Sequence, residues 1–130
     1  MLRSLTVAAC LCATATLAQS DASFDTANKY AAEESHTRAC DAFIAFLKAN
    51  PGSPLKREAE AKQARSCMRA GRGGEYAPKL QNLANQGEKD FARAYALFAL
   101  GEQGYADAFN KAMPLLKQAT GDSRVGKEAR

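Results

Sequence analysis

Tryptophan is absent from the 130 residues, His36 is the single histidine, and valine and isoleucine amount to Val7, Ile44 and Val125. Strands draw on β-branched and aromatic side chains, so a chain this poor in them has little from which to build a sheet. One histidine leaves any zinc site dependent on cysteine or carboxylate ligands. Without tryptophan, and with few aromatics near its acids, the chain offers no evident sugar-stacking cleft. Long apolar runs are also missing: beyond residue 20 nothing approaches the roughly eighteen uninterrupted apolar residues that span a bilayer. What remains is rich in Ala, Leu, Lys, Glu and Gln, which favour helix. The expected fold is all-α.

The first twenty residues have a different character. Arg3 gives a positive start, Leu5 to Leu17 contain no charge, and Thr16-Leu17-Ala18 is a small-x-small cleavage site, the layout of a secretory signal peptide. The expected cut follows Ala18, with Ser20 as the alternative, and either removes Cys10 and Cys12. Val7-Ala8-Ala9-Cys10 resembles a bacterial lipobox, but the apolar span between Arg3 and Val7 is too short for a usual lipoprotein signal. The mature chain of about 110 residues is enough for one domain. It retains two cysteines, Cys40 and Cys67, and in an exported chain such a pair is expected to close as a disulfide.

The formal charge of +4 falls to about +3 without Arg3, which compels neither a nucleic-acid nor a membrane partner. Acids outnumber bases from Asp21 to Glu60. Bases lead from Ala61 onward, through Lys62, Arg65, Arg69, Arg72 and Lys79 to a tail carrying Arg124, Lys127 and Arg130. An electrostatic partner surface is therefore expected on the second half.

Gly and Pro punctuate the chain at Asn50 to Pro54, Gly71 to Gly74, Gly87, Gly101 with Gly104, and Gly121. The segments between them predict helices over 21–34, 37–49, 55–70, 76–86, 88–100 and 105–120. Thr37 is the expected N-cap dividing the first two. Pro78 is expected in a first turn, and Pro114 should kink or restart its helix near Met113. Cys40, Phe43, Ile44 and Leu47 share one helical face, as do Ala64, Cys67 and Met68, with Lys62, Arg65, Arg69 and Arg72 on the opposite side. The short Asn50 to Pro54 link favours antiparallel neighbours. Cys40 lies twelve residues before Gly52 and Cys67 fifteen after it, so the two are expected at heights that differ by roughly one turn, close enough to meet.

The window Ser20 to Ser53 resembles a tetratricopeptide repeat. Ala27 and Tyr30 match the small and aromatic positions of its first helix, and Ala39, Phe43 and Pro51 those of its second. Ser23 and Thr26 stand where large apolar residues are usual, and Phe46 where a small one is. Ala96, Tyr105 and Ala108, around Gly101 and Gly104, repeat the theme. Leu97, Leu100-Gly101, Pro114-Leu115-Leu116, Asp122 and Val125 are alternatively similar to a HEAT repeat, and Pro54 to Gln86 matches neither. The resemblance implies a protein-interaction scaffold whose concave face holds a peptide or a partner helix, with no catalytic constellation required.

Candidate chemistry is sparse. His36 has only Glu33 and the inward-facing Cys40 at ligand spacing, and both cysteines are better used by each other than as metal ligands or nucleophiles. Glu33-Glu34, Glu58 with Glu60, and Glu88 with Asp90 could supply paired carboxylates for a small cell-wall-active enzyme, though such pairs also serve as solvated faces or first-turn charges. Lys62, Arg65, Arg69 and Arg72, followed by a Gly-rich turn and Lys79, form a basic stripe suited to phosphate or carboxylate groups. No aromatic interleaves this stripe in the sequence, so stacking of single-stranded nucleic acid is not indicated.

The reading is an exported protein, periplasmic or secreted, of three antiparallel helical hairpins, solenoid-like or packed as a compact bundle, closed by one disulfide. Residues 19–120 form the domain and 121–130 a basic tail. No cofactor, metal or catalytic residue is expected, and the function is contact with a protein partner of the cell envelope. The alternative is binding of an anionic envelope polymer or other anion through the basic stripe.

Overall fold

The structure is a computed structural model that describes residues 22–86, 90–107, 109–119 and Val125, with side chains described except at 105–112. The signal-peptide segment, both cleavage choices, Glu88, Tyr105 and Ala108 lie outside these residues or side chains. Among the described residues there are six helices: α1 (22–32), α2 (His36–Ala49), α3 (Lys56–Arg69), α4 (Gly73–Asn85), α5 (Phe91–Asp107) and α6 (Phe109–Ala119). Among the described residues there is no strand, and no helix is long and apolar enough to cross a membrane.

Pairings along the helices give their directions. The disulfide joins the start of α2 to the end of α3, so these two run antiparallel, and Cys40 and Cys67 have Cα atoms 4.7 Å apart. Arg57 at the start of α3 reaches Gln86 just past α4, so α4 also opposes α3. Arg57 pairs with Asp90 before α5, and Arg65 with Glu102 further along both helices, so α3 and α5 are parallel. On the other flank Phe24 and Asn28 of α1 meet Lys62, while His36 beyond α1 meets Arg69. Helices α1, α3 and α5 thus form one parallel layer, α2 and α4 run against it, and α6 packs on α5.

Two apolar clusters hold the layers together. Phe24, Ala27, Ala39, Phe43, Phe46 and Ala59 join α1 and α2 to the start of α3. The larger cluster centres on α5, where Ala92 and Ala94 to Ala99 are all buried, against Leu80 and Leu83 of α4 and both cysteines. A helix apolar on every side must be surrounded, and α5 is. Val125, in the stretch expected to be a basic tail, is fully buried in this core. The rest of the 121–130 segment lies outside the described residues.

Several boundaries differ from expectation for identifiable reasons. The break after α1 is a Schellman turn at Glu34 rather than an N-cap at Thr37. Ser35 N–H donates to Tyr30 O at 2.9 Å and Glu34 N–H to Ala31 O at 3.1 Å, with Glu34 at φ 57°. The end of α3 repeats the motif: Arg72 N–H reaches Cys67 O at 2.9 Å, Gly71 N–H reaches Met68 O at 3.1 Å, and Gly71 has φ 89°. Glycine suits that conformation and glutamate does not. Gly71→Ala should therefore cost about 1 kcal/mol, while Glu34→Gly should be neutral or stabilising, by urea unfolding. Equal losses at both positions would contradict the turn assignment.

Four of the glycines that punctuate the sequence, Gly73, Gly74, Gly101 and Gly104, are inside helices. Gly73 opens α4, which places Pro78 beyond the first turn expected for it, and α5 runs through Gly101 and Gly104 to Asp107. An interior glycine costs about 1 kcal/mol relative to alanine, which packing of a buried helix readily outweighs. The α5–α6 boundary therefore lies beyond the turn expected at Gly101 and Gly104, and α6 continues through Pro114.

Candidate functional site

The basic stripe is on α3, the helix with neighbours on both flanks, and this changes its meaning. Lys62 and Arg65 side chains are only 17% and 20% exposed, because the stripe faces α1 and α5 rather than open solvent. Lys62 Nζ is 2.7 Å from Asn28 Oδ1 and 3.0 Å from Glu58 Oε1. Arg65 forms a two-pronged pair with Glu102, Nε to Oε2 at 2.7 Å and Nη2 to Oε1 at 2.8 Å, and donates to the Tyr95 hydroxyl at 3.2 Å. Arg69 reaches Glu102 Oε1 at 3.5 Å and donates through Nε to His36 Nε2 at 3.2 Å. Arg72 pairs with Asp41 at 3.1 Å beside the Cys40 sulfur. Each of these four cations has an acidic partner within the chain.

Aromatic rings lie beneath them. The ammonium of Lys62 is 5.3 Å from the ring centres of both Phe24 and Phe91, and the Arg65 guanidinium is 5.0 Å from Phe98 and 5.8 Å from Tyr95. At such distances the ring quadrupole attracts the cation, and more strongly where water is excluded. These rings come from α1 and α5, so no local pattern around the stripe announced them. The one available signal was α5 itself, where Arg93 is the sole charged residue from Ala92 to Leu100.

The layer of α1, α3 and α5 encloses a depression of about 550 Å³, with Asn28, Ala32 and His36 along one side and Tyr95, Phe98 and Glu102 along the other. Lys62, Arg65 and Arg69 cross its floor, whereas Arg72, beyond the end of α3, turns to Asp41 of α2 and lines a different depression. Lys79 is elsewhere: it belongs to a second depression over α2, α3 and α4, and its ammonium is 5.0 Å from the Tyr76 ring centre. The expected five-residue basic site therefore divides. The Gly-rich turn between α3 and α4 carries the chain around, and Lys79 emerges on another face.

Electrostatics in the groove follow from these contacts. Burial alone would lower the Arg65 pKa, but the Glu102 hydrogen bond and charge, with the Tyr95 hydroxyl, outweigh it and hold the guanidinium above its ordinary value. Partial burial, reinforced by the charges of Arg69 and Arg65, pushes His36 below 6.5, so at neutral pH its imidazole is free to accept from Arg69. At the start of α5 the hydrogen bond from Arg57 holds Asp90 below the usual carboxylate range; burial opposes this, and the Arg93 N–H assists. Asp90 Oδ1 accepts that N–H at 3.0 Å, an N-cap contact.

Both depressed values act in the same direction. The unfolded chain binds these protons before the folded one, so stability is present above each unfolded pKa and falls as pH drops through it. Acidification from pH 7.5 to 5.5 should lower the melting temperature, and His36→Gln should flatten that window while leaving the fall near pH 4 to Asp90. An unchanged slope in His36→Gln would contradict the assignment.

Some of the acids considered for catalysis are engaged with bases. Glu58 is bound to Lys62, Asp90 to Arg57, and Glu33 and Glu34 are exposed around the first turn. Among the described residues, no group of three or more His, Cys, Asp and Glu is placed to hold a metal ion. Compared with protein-family models, curated proteins and solved structures, the chain matches none.

Proposed function

We propose that this is an exported helical binding module whose α1–α3–α5 face holds a segment of a cell-envelope protein. The observation that carries this reading is the roughly 550 Å³ groove, whose floor combines buried aromatic rings with arginine and lysine. Tyrosine and arginine in a desolvated centre are the residue types that dominate protein-protein binding energy. The charges there are already directed by Glu58 and Glu102, so a partner meets a preorganised surface and little side-chain freedom is lost on binding. The signal-peptide layout and the joined cysteines support an oxidising compartment, periplasmic or extracellular.

A free-anion reading of the stripe is less favoured, since an incoming phosphate or carboxylate would have to displace Glu102 from two arginines. The test is a photo-crosslinking residue at exposed Ala32 on the groove wall, compared with one at exposed Gln81 on α4. A discrete protein adduct from position 32 alone is expected. Adducts from position 81 alone, or equally from both, would overturn the proposal.

A further inference from the structure

Positive charge without internal compensation is found on a different face from the stripe. We infer that the depression across α2, α3 and α4 is a binding site for a multivalent oxyanion, a small ligand bearing several phosphate or carboxylate groups. It measures about 500 Å³, within the usual range of about 300 to 1,000 Å³ for ligand pockets. Lys48 from the end of α2, Lys56 from the start of α3 and Lys79 from α4 line it, against the single acid Glu60. All three lysines are exposed, and none forms an ion pair among the described residues. Lys62, Arg65, Arg69 and Arg72, by contrast, each have an acidic partner.

A second observation is independent of charge. Gln63 lines the same depression with only 6% of its surface exposed, yet its carboxamide has no hydrogen-bond partner among the described residues. Its amide atoms are not sealed from solvent, so from a largely buried side chain they open into the depression, where a ligand oxygen can accept from them. Gln63 stands one helical turn beyond Glu60 and two beyond Lys56, on the same side of α3. The carboxamide of Asn82 is on the opposing wall. Lysine ammonium groups act as mobile point charges, suited to oxyanions in varied poses, and the two carboxamides add directed donors at the base. The bound anion would bridge the ends of α2 and α3 to the middle of α4.

Titration calorimetry with tripolyphosphate in one arm and tri-galacturonate in the other distinguishes phosphate from carboxylate as the source of the charge. Binding in either arm is expected, weakening as salt rises, and Lys48→Gln/Lys56→Gln/Lys79→Gln should reduce it by at least about tenfold. Since these lysines are exposed, the triple variant should melt close to the wild type. Gln63→Leu should also weaken binding several-fold without changing its salt dependence, which a diffuse positive surface would not require. Ala32→Trp, in the α1–α3–α5 groove, should leave it unchanged. Binding in neither arm, affinity retained in the triple variant, or indifference to Gln63→Leu would each overturn the site.

Discussion

Replacing both cysteines with alanine should lower stability by roughly 3 to 4 kcal/mol, because the bond between Cys40 and Cys67 closes a loop spanning 27 positions and removes that freedom from the unfolded chain. For a domain of this size, such a loss corresponds to a fall in melting temperature of roughly 15 to 25 °C. The local packing loss should be small, since alanine keeps an apolar group at two fully buried positions. Reduction with dithiothreitol should reproduce the effect in the wild type and do nothing to the variant. A shift of only a few degrees would mean that the loop is already closed by the α2–α3 packing in the unfolded ensemble.

The second large effect concerns charge. Glu102→Leu should destabilise by roughly 2 to 3 kcal/mol, because Arg65, 20% exposed, would be left with the Tyr95 hydroxyl as its remaining polar partner in the groove. The figure is below that for a fully buried pair because both partners retain some contact with water. Arg65→Met should cost less, since Glu102 would keep Arg69 at 3.5 Å. The double variant Arg65→Met/Glu102→Leu should return to within about 1 kcal/mol of the wild type, as apolar replacements commonly do for such pairs. The coupling from the four urea curves checks this. Additive losses would show that Arg65 and Glu102 are solvated independently.

These two cases also mark how far the amino-acid sequence can be read. The helices were legible because β-branched residues are so few, and the cysteine pairing because phase and distance from the Asn50 to Pro54 turn agree. The stripe was legible as a face, but its surroundings were not. A polar side on one helix ordinarily means solvent, whereas α3 has α1 and α5 beside it and directs its cations into a groove between them. Arg65 and Glu102 are 37 positions apart, and no periodicity links them. Phe46, a departure from the repeat pattern, is buried against Phe24, a contact between α1 and α2 that no periodicity within α2 announces. Gly101 and Gly104 looked like a turn because local propensity weighed more than the packing that carries α5 through them.

The division of positive charge between two faces gives the molecule separable surfaces. One has its cations paired with acids over aromatic rings; the other carries three lysines without ion pairs around the Gln63 carboxamide. The most direct measurement of the central claim is the affinity of the protein captured through position 32, titrated against wild type, Ala32→Trp and the Lys48, Lys56 and Lys79 triple glutamine variant. Binding through the α1–α3–α5 groove predicts a loss of at least about tenfold in Ala32→Trp and little change in the triple variant. Full affinity in Ala32→Trp, with loss in the triple variant, would contradict it.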